Sequence, residues 1–325
     1  MTDGTTAEVD STEVDESETF DGGGYRGLMS RRHSGWESLA EAVAPDARVT
    51  RLRRLTGGAG GTDAYDVTLD RAPRRVVVKI YPDGDGTASL EWSRLEFAQR
   101  LTALVPEPIA ADLESVWFGR PAVVMSRLPG RPDVTPKDAD SWVAALAQAL
   151  TQLHETVLDG TAAALTPSPQ IETWHPPAGE HDPLTAAAVR AVTARLSLLS
   201  SERVFTHGDF HPGNVLWHRG RISGVVDWSA AGLGARWSEL AYCRADVCLL
   251  FGPDVADRLA DAYADIVGHT SDDLAVYDLI WLFNIRHHAQ VALGAYREQG
   301  HVPNRQLSLA HLNEQVRRVI TRLDR

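Results

Sequence analysis

The feature that most restricts the fold is a change of hydrophobic period partway along the chain. Residues 48–55 (RVTRLRRL), 64–70 (AYDVTLD) and 74–81 (RRVVVKIY) are short and rich in β-branched residues, with glycine-rich or proline-containing breaks between them. They predict three strands of an antiparallel meander. Residues 87–104 then carry apolar side chains at 90, 92, 95, 97, 101 and 104, which is one face of a helix. PAVVMSRLPG at 121–130 reads as a further strand ending in Pro-Gly, and beyond it the period turns helical: SWVAALAQALTQLHETV, PLTAAAVRAVTARLSLL, and four amphipathic stretches near 236–250, 253–268, 273–296 and 305–323. Three short strands interrupt them, VFTHG, VLWH at 215–218 and RISGVVDW at 221–228, the last two joined by a tight turn at Arg219 and Gly220. The order predicts an α+β chain. A small β-rich part with one main helix precedes a larger, mainly helical part, with the boundary near residues 127–131.

At 325 residues the chain can bury a sizeable core and form one two-lobed unit or two domains. Residues 1–24 are polar, acidic and expected to be disordered. Ser34 and Glu37 have capping-box spacing, which places the start of ordered structure near residue 34. The stretch 159–183, rich in Pro, Thr and Gly, reads as a long surface connection.

The net charge of −12 is concentrated at one end: residues 1–25 hold eight acids and no base, so the rest of the chain is near −4. With no Lys/Arg stripe, nucleic acid is not expected as a partner. Nothing suggests an obligate protein partner either. Cys243 and Cys248, five apart in an apolar stretch, suit buried thiols better than a disulfide or a CxxC site. No signal peptide and no membrane-length apolar run is seen, so the cytoplasm is the expected location.

Residues 205–218, FTHGDFHPGNVLWH, set two histidines, an aspartate and an asparagine within eight positions. Two chemistries want such a cluster. His207, Asp209 and His211, at every second position, could be metal ligands of a hydrolase, although a stable zinc site needs three or four protein ligands and no second cluster of ligand spacing lies nearby. Phosphoryl transfer to a hydroxyl instead needs positioning, magnesium and a base. Asp209 would take the acceptor's proton, Asn214 would hold one magnesium ion, and Asp227, ending the apolar strand GVVDW, would hold metal bridging the phosphates of ATP or GTP. Lys79 follows three valines, so its charge projects from a buried strand and needs a partner. Nucleotide phosphates and a helix carboxylate would serve, with Glu91 preferred and Glu96 second, since the two lie about 140° apart on a helix. TGGAGG at 56–61 offers Gly58 and Gly60 for close approach of backbone amides to phosphates, but matches GxGxxG in no register.

The run His207-Gly-Asp209-Phe-His-Pro-Gly-Asn214, followed thirteen residues later by Asp227-Trp228, resembles the aminoglycoside phosphotransferase/choline kinase family of protein-kinase-like small-molecule kinases. The likeness extends over about residues 47–295. It implies a two-lobed protein-kinase-like fold, with an N-lobe at 25–128 that binds nucleotide and a C-lobe at 129–325 that carries the catalytic loop and the acceptor site. It also implies that Ser126 to Leu128 meet the base through backbone groups, that His207 braces the loop, and that His211 lines the site or bonds backbone. Glu239, in ARWSELAYC, stands where such proteins often carry an aspartate. The implied activity is ATP- or GTP-dependent, magnesium-requiring phosphorylation of a small hydroxylated acceptor, an aminoglycoside or macrolide antibiotic among the options. A nucleotide-binding pseudokinase is the alternative. A protein kinase fits less well, because the chain reaches a helix by residue 236 and leaves little room for a peptide platform.

Overall fold

The computed structural model describes residues 26–55, 61–84, 86–157, 182–301 and 304–324. The acidic tail, Gly58, Gly60 and nearly all of the connection at 159–183 lie outside them. Helix α1 (Arg26–Val43) is followed by β1 (Val49–Leu55), β2 (Asp63–Leu69), β3 (Arg75–Ile80), α2 (Thr87–Ala98), β4 (Pro108–Asp112) and β5 (Ala122–Ser126). Because α1 begins at Arg26, Ser34 sits inside the helix and does not cap it. The capping-box spacing is a local preference, and the helix continues backward through good helix formers such as Arg, Leu and Met.

The strands form one antiparallel sheet in the order β1-β2-β3-β5-β4. The meander is present, with Asp66 paired to Val77 and Val77 in turn to Met125. β4 gave no sequence signal because a proline opens it; it lies at the sheet edge, where the missing N–H is harmless. α2 is shorter than the apolar pattern. Leu101 and Leu104 still pack on the core, but the Leu104 carbonyl accepts the N–H of Val225 at 2.7 Å, well outside the helical ladder.

The remainder is mainly helical: β6 (Arg131–Pro132), α3 (Ala139–His154), α4 (Pro183–Thr193), β7 (Val204–Thr206), β8 (Val215–His218), β9 (Arg221–Val225), β10 (Gly232–Gly234), α5 (Arg236–Phe251), α6 (Pro253–Val267), α7 (Asp273–Glu298) and α8 (Arg305–Leu323). The predicted β8–β9 turn is made by Arg219 and Gly220, both left-handed at φ 52° and 75°, the pairing a two-residue hairpin needs. α5 is the central helix, and it is buried on nearly every side against α6, α7 and α8, so the amphipathic reading of 236–250 does not hold for it.

Two cores result. The outer face of the sheet packs Val67, Val76, Val78 and Val124 on Leu39 and Ala40 of α1. The inner face, through Val77, Val123 and Met125, joins the large core that runs through α2, α3 and α5 to α8. The alternation of β3 therefore turns Val77 and Lys79 toward the helical part, and this places the site. Cys243 and Cys248 are free, buried thiols whose burial raises their pKa, Cys248 to about 12. No helix among the described residues is long and apolar enough to cross a membrane.

Candidate active site

Lys79 leaves β3 on the face turned toward the helical part, where its ammonium donates to both carboxylate oxygens of Glu91 at 2.8 and 2.9 Å and to Oδ1 of Asp227 at 3.0 Å. Burial would pull Lys79 down, but the charges of Glu91 and Asp227 outweigh it and hold the ammonium above the ordinary lysine range. Glu91, fully buried in α2, also accepts the hydroxyl of Tyr81, whereas Glu96 points to solvent. The Lys79 charge depresses the Asp227 carboxyl below the usual carboxylate range, against the opposing effect of burial.

Asp227 follows β9 in a left-handed conformation, φ 69° and ψ 66°. Such a backbone costs on the order of 1–3 kcal/mol outside glycine and persists only where surroundings over-determine it. Here they do. Val226 N–H donates to the Asn214 carbonyl at 2.9 Å, and Trp228 donates from Nε1 to the Val225 carbonyl at 2.8 Å while its ring meets His207 edge-on at 4.5 Å.

The loop after β7 is held from two sides. His207, fully buried, receives the Asp209 N–H on Nδ1 at 3.2 Å and donates from Nε2 to the Val226 carbonyl at 3.1 Å. Burial, only partly opposed by the charges of Glu239, Asp209 and Asp227, lowers its pKa and keeps the ring neutral in that tautomer. From the other side Glu239 of α5 accepts the N–H groups of His207 at 3.2 Å and Gly208 at 2.5 Å, and pairs with His154 Nε2 at 2.9 Å. One oxygen of Asp209 accepts the Tyr242 hydroxyl at 2.6 Å; the other accepts Nδ2 of Asn214 at 3.0 Å. The amide of Asn214 is thereby oriented, nitrogen toward Asp209. His211 takes the Gly213 N–H on Nδ1 at 3.1 Å, and the same nitrogen lies 3.0 Å from the hydroxyl of Tyr296, which bonds Asp246 at 2.7 Å.

The structure thus brings Lys79, Glu91, Asp227, Asn214 and Asp209 together, with His207, His211 and Glu239 around the loop. Gly58 and Gly60 lie outside the described residues. The Ser126 N–H is spent on the Glu107 carbonyl at 2.8 Å, and the Leu128 carbonyl accepts the Arg127 guanidinium. His207 and His211 commit their bonded nitrogens to protein partners. Among the described residues no group of three or more His, Cys, Asp or Glu side chains is arranged to hold a metal ion. Asp227 and Asn214 offer carboxylate and amide oxygens, a donor pair that fits magnesium when water and phosphate oxygens complete the shell.

Sequence reasoning missed Tyr81, His154, Tyr242 and Tyr296. One signal was available. Tyr242 stands three residues after Glu239 and Asp246 seven after it, so all three share a face of α5.

The family model described as "Phosphotransferase enzyme family" matches residues 51–280. A homoserine kinase from Methylocella silvestris is 27% identical over 234 residues, covering 66% of this chain and 72% of that protein. In structure the chain is similar to a thermostable mutant of aminoglycoside phosphotransferase APH(4)-Ia in ternary complex with ADP and hygromycin B, with a TM-score of 0.60 at 17% identity over 88% of this chain and 97% of that one. It is also similar to spectinomycin phosphotransferase APH(9)-Ia in complex with ADP and spectinomycin, with a TM-score of 0.55 at 17% identity over 89% and 98%. These structural likenesses show a protein-kinase-like fold, as the order of elements and the motif imply. The chain belongs to the phosphotransferase enzyme family, and is a small-molecule phosphotransferase acting on a hydroxyl group.

Proposed function

We propose that the protein transfers the γ-phosphoryl group of ATP or GTP to a hydroxyl of a small acceptor, with Asp209 as the base. The observation that carries this reading is the chain of contacts that joins the Lys79 and Glu91 pair to Asp227, and through the Val226 N–H on the Asn214 carbonyl to Asn214 and Asp209. Residues 25–128 supply the nucleotide side, with the Leu128 carbonyl reaching the base once Arg127 moves off it. Residues 129–325 supply the catalytic loop and the acceptor side.

In this reading Lys79, fixed by Glu91, exchanges Asp227 for nucleotide phosphate oxygens. Asp227 and Asn214 would hold magnesium, which when bound would neutralise charge on the phosphates. Asp209 accepts the acceptor's hydroxyl proton as the new O–P bond forms. His207 and Glu239 hold the loop that presents Asp209, and His211 braces its far end. Dependence on nucleoside triphosphates is what ties the activity to the cytoplasm.

Homoserine is the first acceptor to screen, because the homoserine kinase aligns over two thirds of the chain. Hygromycin B, spectinomycin, choline and macrolides follow. The test measures thermal stability with magnesium-ATP, magnesium-GTP and no ligand on wild type and Asp227→Ala, then ADP or GDP release with each acceptor. A nucleotide shift that vanishes in Asp227→Ala, with acceptor-dependent release, is expected. A shift without turnover on any acceptor would leave a nucleotide-binding pseudokinase. Phosphorylation of peptides alone would overturn the small-acceptor reading.

A further inference from the structure

One face of α5 organises the catalytic loop residue by residue. Glu239 holds the backbone of His207 and Gly208, Tyr242 holds the side chain of Asp209, and Asp246, through Tyr296, reaches His211. The spacing of three and then four residues keeps the three groups on the same side of the helix. Of the three contacts, only that of Tyr242 falls on the carboxylate proposed to do chemistry.

We propose that Tyr242 is the positioning residue of the transfer step: its hydroxyl fixes the rotation of the Asp209 carboxylate, so that the opposite oxygen meets the acceptor. This rests on the phosphotransferase reading above. A carboxylate turns readily about its terminal torsion, whose preference is broad and two-fold. Two donors stop it here, Tyr242 on Oδ1 at 2.6 Å and the Asn214 amide on Oδ2 at 3.0 Å. Asn214 has a second proposed task as a metal ligand, whereas the Tyr242 hydroxyl makes no other bond among the described residues. Its ring is wedged edge-on against Trp281 at 4.7 Å, and Trp281 is itself pinned by a bond from Nε1 to Ser238 at 2.9 Å. Burial, with the charges of Asp209 and Asp246, drives the phenol pKa upward, so it stays protonated and donates.

In the step itself, Oδ2 of Asp209 takes the acceptor hydroxyl proton. The acceptor oxygen bonds the γ-phosphorus, and the bond from that phosphorus to the bridging oxygen breaks, its electron pair leaving with the nucleoside diphosphate. Tyr242 keeps its own proton throughout.

The test is Tyr242→Phe, which keeps the ring against Trp281, made in wild type and in the Asp209→Asn background. Turnover is read as ADP release from magnesium-ATP with whichever of homoserine, choline or hygromycin B the wild type phosphorylates, and with water alone if it phosphorylates none. In the wild-type background kcat is expected to fall roughly 10- to 100-fold, the effect of losing one hydrogen bond to a charged group, with KM for nucleotide and acceptor unchanged within about 2-fold. In the Asp209→Asn background the same change should cost less than about 2-fold, because the contact it removes acts through the carboxylate. An unchanged melting temperature excludes a packing effect. Wild-type kcat in Tyr242→Phe, an equal loss in both backgrounds, or a change in KM alone would overturn the proposal. A wild type that shifts with no nucleotide and releases no ADP would instead overturn the phosphotransferase reading, and this one with it.

Discussion

Lys79 and Asp227, 148 residues apart in the chain, are bonded directly, Nζ to Oδ1 at 3.0 Å. The group proposed to receive phosphates is thus neutralised by the group proposed to receive metal, and each keeps the other charged: Lys79 is shifted up and Asp227 down. Nucleotide and magnesium would enter by exchange, replacing one ion pair with two.

Asp227→Ala should therefore abolish the magnesium-dependent part of nucleotide binding while Lys79 stays on Glu91. For a ligand at 100 times its Kd the wild type gains about 2.7 kcal/mol. In differential scanning fluorimetry the wild type should rise with magnesium-ATP and the mutant should not, and an equal rise in both would remove Asp227 from the metal site.

Asp209→Asn should cut kcat by a factor on the order of 10² to 10⁴, the range for losing a positioned base. Nucleotide affinity, measured by titration calorimetry, should stay within about 2-fold, since Asp209 makes no bond to Lys79, Glu91 or Asp227.

Glu239→Ala leaves two backbone N–H groups and the His154 ring without their buried acceptor. A buried donor left without its acceptor costs roughly 1–3 kcal/mol. Urea unfolding should show that loss, together with lower kcat from a loosened loop. Stability within about 1 kcal/mol of wild type would mean that the loop holds itself.

His207 gives stability a defined pH dependence. Its folded pKa is depressed by burial, so on acidification the unfolded chain takes up a proton that the folded chain refuses. Stability is then lost as pH falls through the unfolded value of about 6.5, by up to about 1.4 kcal/mol per unit until the folded ring also protonates. His207→Gln should lower stability at pH 7.5 yet flatten the slope between pH 6.5 and 5.5, as read by denaturant midpoints at three pH values.

Two glycines should respond in opposite directions to alanine. Gly130 is at φ 101°, and a Cβ there would lie 2.3 Å from the Trp217 carbonyl, so Gly130→Ala should cost at least about 1–3 kcal/mol. Gly294 lies within α7 with nothing within 4 Å of the added carbon, and Gly294→Ala should stabilise by about 0.5–1 kcal/mol. Thermal melts of the pair check both.

Much of the fold was legible because hydrophobic period is a local property. The strands around RVTRLRRL, AYDVTLD and RRVVVKIY and the four closing helices fall where the pattern places them, give or take a residue or two. The misses are equally physical. β4 and β10 take their order from neighbours and not from their own residues, and α1 extends past a cap signature, back through good helix formers.

For the site, sequence alone determined which residue types the chain carries at HGDFHPGN, at VVDW and on the valine-rich strand, and therefore the class of chemistry and the family. Only the tertiary structure decided who touches whom. That Glu91 and not Glu96 meets Lys79 depends on which helix face packs inward. That Tyr242 reaches Asp209 and Glu239 holds Gly208 depends on α5 lying beneath a loop more than 30 residues earlier in the chain. Such contacts come from packing between distant segments, and no local pattern of hydrophobicity or spacing encodes them.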